Sequence, residues 1–277
     1  MNRVLRVISL GALLALLTSP AGAHQFWLAP SPYVAGSGKT VEVRAFAGTG
    51  FRGESKPWDP PHGVRFVARA ARTLDLTPAT TPGSFAWARF APSDQGGAML
   101  AFESGFTPIE LPAAQFNAYL EDEGLDGPLA ARHRAGAAAP GRERYRRAAK
   151  TWLAGTAADR ALTPVGLPLE IVPLSIPGTQ GVLRVRVLWG GQPLAGALVK
   201  AWRAPLGPGG AIRDAATRDS IGVSWQARTD ARGEVAVPVA QPGEWLLSVV
   251  RMLPSSERNE ADWESTWSSL TFERVAP

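Results

Sequence analysis

The run Val182-Leu183-Arg184-Val185-Arg186-Val187-Leu188 sets Leu183, Val185 and Val187 on one side of an extended chain and two arginines on the other. Strict alternation of this kind suits a strand with one face in a core and the other in water, and it excludes a helix of period 3.6. Thr40-Val41-Glu42-Val43-Arg44-Ala45-Phe46 repeats the pattern. Shorter strand candidates are Val64 to Val67, Phe85 to Ala88, Met99 to Phe102, Leu169 to Val172, Val235 to Val237 and Trp245 to Val250. Pro- and Gly-containing turns separate them, among them Gly190-Gly191 and Asp230-Ala231-Arg232-Gly233.

The rhythm changes at Pro112. A proline suited to a first helical turn precedes Ala113 to Leu120, where Phe116, Tyr119 and Leu120 share one face, and Gly124 is a natural stop. Helical spacing of Tyr145, Ala149, Trp152 and Leu153 predicts a second helix from Arg142 to Leu153, with Ala135 to Pro140 as a flexible loop between the two. The expected fold is mainly β: two antiparallel β-sandwich-like modules, residues 24–111 and 166–277, joined by a short helical insert at 112–165. Short strands at regular spacing make the second module immunoglobulin-like or transthyretin-like.

Residues 1–23 read as a cleavable signal peptide. Arg3 and Arg6 precede an apolar run from Val7 to Leu17, and Ala21-Gly22-Ala23 is an A-x-A cleavage site. That run is shorter than the roughly 20 residues that span a bilayer. The expected location is therefore the periplasm, or the medium if the protein is secreted outright, with His24 as the first mature residue. Loss of Arg3 and Arg6 from a formal charge of +5 leaves a mildly basic chain with dispersed arginines, a poor match to nucleic acid. The absence of cysteine excludes disulfides, thiolate metal sites and cysteine nucleophiles, so any bound metal must take nitrogen and oxygen ligands.

Several phrases are more specific than the pattern. They are FNAYLEDEGLDGPLAAR and GRERYRRAAKTWL in the insert, GLPLEIVPL after it, then GGQPLAGALVKAW, TDARGEVAVPVAQPGEWLLSV and DWESTWSSLTFE, with AHQFWLAPS at the start. Together they resemble the bacterial DUF4198 proteins over nearly the whole mature chain. The resemblance implies a periplasmic component linked to nickel or cobalt uptake, working with a membrane metal transporter. One departure is Arg251-Met252, where the family pattern often has a histidine.

Cleavage after Ala23 would give His24 a free α-amine beside its imidazole, a chelate suited to Ni, Co, Cu or Zn. His62 lies in the proline-rich loop Lys56-Pro57-Trp58-Asp59-Pro60-Pro61-His62-Gly63, with Asp59 beside it and Glu54 nearby, so these three are the further candidate ligands. His133 lies between Arg132 and Arg134 and reads as structural or solvent-facing rather than as a ligand. Asp262 and Glu264 would share a face of a strand and could hold a cation, while Trp263 and Trp267 read first as core and otherwise as a sugar-stacking platform. No G-x-S-x-G, H-E-x-x-H or full G-x-x-x-x-G-K-[ST] loop occurs.

The expected function is thus a non-enzymatic periplasmic metal-binding protein anchored at His24. The alternatives are a metal-free β-sandwich that binds a glycan or a protein, and a copper enzyme with a histidine brace of His24 and His62.

Overall fold

The computed structural model describes residues 24–34, 40–77, 80–92, 95–157, 159–208 and 212–275. The expected leader lies outside them.

In chain order the first half runs β1 (Gln25–Ser31), β2 (Val41–Thr49), β3 (Arg52–Lys56), β4 (Gly63–Arg69), β5 (Thr73–Asp75), β6 (Ala88–Phe90), β7 (Ala98–Ser104) and β8 (Thr107–Leu111). The insert follows as α1 (Ala113–Asp122), α2 (Asp126–Arg134), β9 (Gly141–Leu153) and α3 (Asp159–Leu162). The second half is β10 (Leu169–Pro173), β11 (Val182–Trp189), β12 (Gln192–Pro193), β13 (Leu198–Ala204), β14 (Trp225–Arg228), β15 (Glu234–Pro238), β16 (Gly243–Pro254) and β17 (Trp263–Arg274).

Three sheets result. A small one pairs β1, β2 and β3, with β6 on β2. A second pairs β10, β11 and β12, with β15 on β11. Between them a nine-stranded sheet runs β14-β13-β16-β17-β9-β7-β4-β5, with β8 also on β9. All these pairings are antiparallel except β9 with β17, which is parallel. The mainly β, sandwich-like class is as expected, and the two modules share this central sheet.

The large sheet is buried on both faces because its strands alternate in what they send to each side. Phe66, Ala68, Leu100, Phe102, Ala149 and Leu153 meet Leu28, Val41, Val43 and Ala45 of the small sheet. Their neighbours Val67, Met99, Ala101, Ala148 and Trp152 point the other way and meet Leu169, Ile171, Val185 and Val187. Burial of this many apolar side chains, at roughly 25 cal/mol per Å², dominates the stability. A polar pair crosses the second core: Lys150 Nζ lies 2.8 Å from Glu170 Oε1, with side chains 0% and 1% exposed. Glu170 also accepts the backbone N–H groups of Val165, Gly166 and Leu167, fixing the entry to β10.

The helix after Pro112 forms as expected and buries Phe116, Tyr119 and Leu120. Gly124 ends that segment at φ 62°, where a side chain would be strained. Residues 142–153, expected as a helix, are instead most of β9, hydrogen-bonded to β7, β8 and β17. Its alternation sends Arg142, Arg144 and Arg146 to one side and Glu143, Tyr145 and Arg147 to the other. Tertiary pairing on both edges outweighs the helix propensity of its Ala, Arg and Lys residues. The strand expected at Phe85 to Ala88 lies further along, at Ala88–Phe90.

Candidate functional site

His24 stands immediately before β1. The register Phe26↔Ala47↔Glu54 and Leu28↔Ala45↔Lys56 puts Glu54 and Lys56 on the sheet face that carries Phe26 and Leu28. Beside this face is a cavity of ≈ 260 Å³ lined by Phe26, Lys56, Trp58, Asp59, His62, Trp87, Phe102, Tyr145 and Arg147. The buried rings pack edge to face, Trp58 with Trp87 at 4.9 Å and Trp87 with Phe102 at 4.8 Å between centroids. Such a cluster gives the opening a stiff apolar wall.

Arg147, on the inward side of β9, ties the start of the small sheet to the central one. Its Nη1 donates a short hydrogen bond to the His24 carbonyl, and its guanidinium lies 4.7 Å from the centre of the Tyr145 ring. His24 is half buried. Its imidazole pKa is lowered first by that burial, then by the charges of Arg147 and Lys56, with Glu54 opposing. A lowered value keeps the ring neutral, the form in which histidine ligates a metal.

His62 is exposed, with Nδ1 2.5 Å from Asp59 Oδ2. A carboxylate on one ring nitrogen fixes the imidazole and leaves Nε2 as the ligating atom. Asp59 therefore suits a role orienting His62. The backbone of this loop closes through His62 N–H and Gly63 N–H, both donating to the Asp59 carbonyl. Gly63 is required there, since an added Cβ would lie 2.7 Å from Trp58 Cη2. Glu54 is 86% exposed and accepts from Lys56 Nζ at 3.0 Å.

Of the four residues expected from the sequence, His24 and Glu54 are thus brought to one sheet face, and His62 and Asp59 form a pair on the neighbouring cavity. Among the described residues no three His, Asp or Glu side chains converge as a metal cluster. If cleavage frees the His24 amine, that amine and the imidazole would form an open two-nitrogen chelate for a divalent transition metal, with Glu54 on the same sheet face. Arg147, Lys56 and Tyr145 were missed. Arg147 and Tyr145 lie in the stretch expected as a helix, where alternation of Glu143, Tyr145 and Arg147 was the available signal.

The remaining candidates are otherwise engaged. His133 is exposed, as expected. Glu264 accepts from Arg144 Nη2 at 2.7 Å and from the Ser256 N–H at 2.6 Å. Burial would raise its pKa, but these bonds and those from the Ser255 and Ser256 hydroxyls hold it down at about 2. Asp262 lies 3.7 Å from Arg142 Nε, so both acids serve the arginines of β9. Trp267 is core and Trp263 half buried, and none of the ten tryptophans is exposed.

Fold and site together define a β protein of stacked sheets, with a small insert and an open, aromatic-walled cleft that carries the His62–Asp59 pair beside the first strand. The chain belongs to the DUF4198 family, whose description is "Domain of unknown function (DUF4198)" and whose family model matches residues 21–252. No curated protein matches it. Among solved structures, the D0-D1 domain of Intimin aligns over 90% of this chain and 97% of its own at 9% identity. Its TM-score of 0.19 is too low to bear on the fold. Among the described residues no helix is long and apolar enough to cross a membrane.

Proposed function

We propose that this protein binds a transition metal in the periplasm and hands it on for nickel- or cobalt-type uptake, with His24 as the anchor and a membrane transporter as the recipient. The observation that carries the reading is His24 itself. It is half buried, its pKa is lowered, and it heads β1 beside the cavity that holds the His62–Asp59 pair. Neutral nitrogen donors match nickel, cobalt, copper or zinc.

An open chelate is also appropriate to transfer. Closed sites of four protein ligands are characteristic of structural metals, whereas sites with free positions exchange what they hold. Arg147 and Lys56 add positive potential next to His24, and this weakens the hold on a cation while Glu54 partly offsets it.

The test is native mass spectrometry and calorimetry with Ni, Co, Cu and Zn on protein that begins at His24. One bound metal is expected. Binding should be lost in His24→Ala and in protein whose terminal amine is acetylated, since acetylation removes the α-amine donor and leaves the imidazole. A chain starting at His24 that takes up none of the four metals overturns the reading.

A further inference from the structure

The other face of β1 and β2 carries Trp27, Ala29 and Ser31 opposite Phe46, Arg44 and Glu42. Between it and the segment Ile212–Arg218 lies a second cavity, of ≈ 390 Å³. It is thus separated from His24 by the small sheet and shares no lining residue with the cleft described above.

Its floor is ionic and buried. The side chains of Arg218 and Glu244 are 3% and 1% exposed, with Arg218 Nη2 2.7 Å from Glu244 Oε2. The other carboxylate oxygen accepts from the Tyr33 hydroxyl at 2.6 Å. Glu244 is therefore fully used, but Arg218 is not. Its Nε and Nη1 are buried and have no acceptor. Phe51 covers the guanidinium at 4.4 Å from the ring centre, so a further partner has to approach in the guanidinium plane. Buried donors are nearly always satisfied, and an unpaired pair of N–H groups on a guanidinium calls for an oxygen acceptor.

The carboxylates of the lining are each held by an arginine: Asp214 lies 4.0 Å from Arg44 Nη1 and also accepts the Ala216 N–H. Glu42 is engaged by both Arg44 and Arg89, at 2.7 Å each, and Arg213 is exposed at the rim. Phe46, Pro30 and Ala215 give the walls apolar surface. A cavity of this size, with apolar walls and a few convergent polar groups, is typical of small-molecule sites. Guanidinium groups match the planar geometry of carboxylates.

We infer that this cavity binds a small organic carboxylate, whose charged end is held by Arg218 and whose apolar part lies against Phe46 and Ala215. The probes are succinate, benzoate and inorganic phosphate, titrated into the exported protein and followed by calorimetry and by NMR of the tryptophan side chains. At least one of the two carboxylates should bind one to one with Kd at or below about 1 mM. Arg218→Lys keeps a cation beside Glu244 but loses the free donors, and should weaken binding about tenfold. Ala29→Phe fills the cavity from the small sheet while leaving both members of the Arg218–Glu244 pair unchanged, and should weaken it at least as much, which decides the matter if Arg218→Lys does not fold. The inference is overturned if neither carboxylate binds, if phosphate binds as tightly as the carboxylates, or if Ala29→Phe binds like the parent protein.

Discussion

Glu170→Ala is expected to be the most damaging single truncation in the polar core. It leaves the Lys150 ammonium, 0% exposed, without its partner at 2.8 Å. It also frees the Val165, Gly166 and Leu167 N–H groups, now held at 2.7, 2.9 and 3.2 Å. Breaking a buried pair from one side costs about 3–5 kcal/mol, and each lost hydrogen bond about 1 kcal/mol more. The result approaches the whole stability of an ordinary domain, roughly 5–15 kcal/mol. Lys150→Met is the control. Methionine follows the lysine stem, and the stranded carboxylate keeps its three N–H donors, so the cost should be smaller by about 2 kcal/mol. The double variant removes the unpaired ammonium and should be less than additive. Equilibrium urea unfolding, read from tryptophan fluorescence, gives the three midpoints. If Lys150→Met costs as much as Glu170→Ala, or the double variant is additive, the pair is not organised as described.

Two further outcomes follow from the insert. Glu143 is buried, accepts from Tyr119 and Ser265 hydroxyls, and has a pKa raised by burial to about 7. A raised folded value contributes stability that is complete below the ordinary carboxyl range and lost as pH rises to 7, so Glu143→Gln should raise Tm by at least about 2 °C at pH 8 and leave it unchanged near pH 4, as checked by calorimetry. At Gly141 an added Cβ would lie 2.1 Å from Phe116 Cγ. Gly141→Ala should therefore cost about 1–3 kcal/mol in urea unfolding, and a neutral result would mean that α1 is not seated on β9 as described.

What was legible in the sequence was whatever depends on near neighbours. Leu183, Val185 and Val187 alternate and are buried together, and Phe116, Tyr119 and Leu120 share a helical face and are buried together. Asp59 and His62 lie three residues apart, and the loop brings them into contact. The β9 segment failed because two periods fit the same residues. Tyr145, Ala149 and Trp152 obey a helical spacing, while Glu143, Tyr145 and Arg147 obey an extended one. What decides between them is pairing with β17, 120 residues away, where Arg144 finds Glu264 and Arg146 finds Thr266. The floor of the second cavity was equally remote, since Tyr33 meets Glu244 across 211 residues. No local signal marks such a pair, and only the assembled sheets reveal it.

The parallel join of β9 to β17 also governs when the molecule can exist at all. Closing a loop of 120 residues is entropically costly, and sheets built on such distant pairings form slowly. The middle of the central sheet waits for β17, so the chain up to β16 has no finished half to fold ahead of it. A truncation before Trp263 would remove an interior strand and expose the edges of β9 and β16 together. With β17 interior to the sheet, the two halves succeed or fail as one.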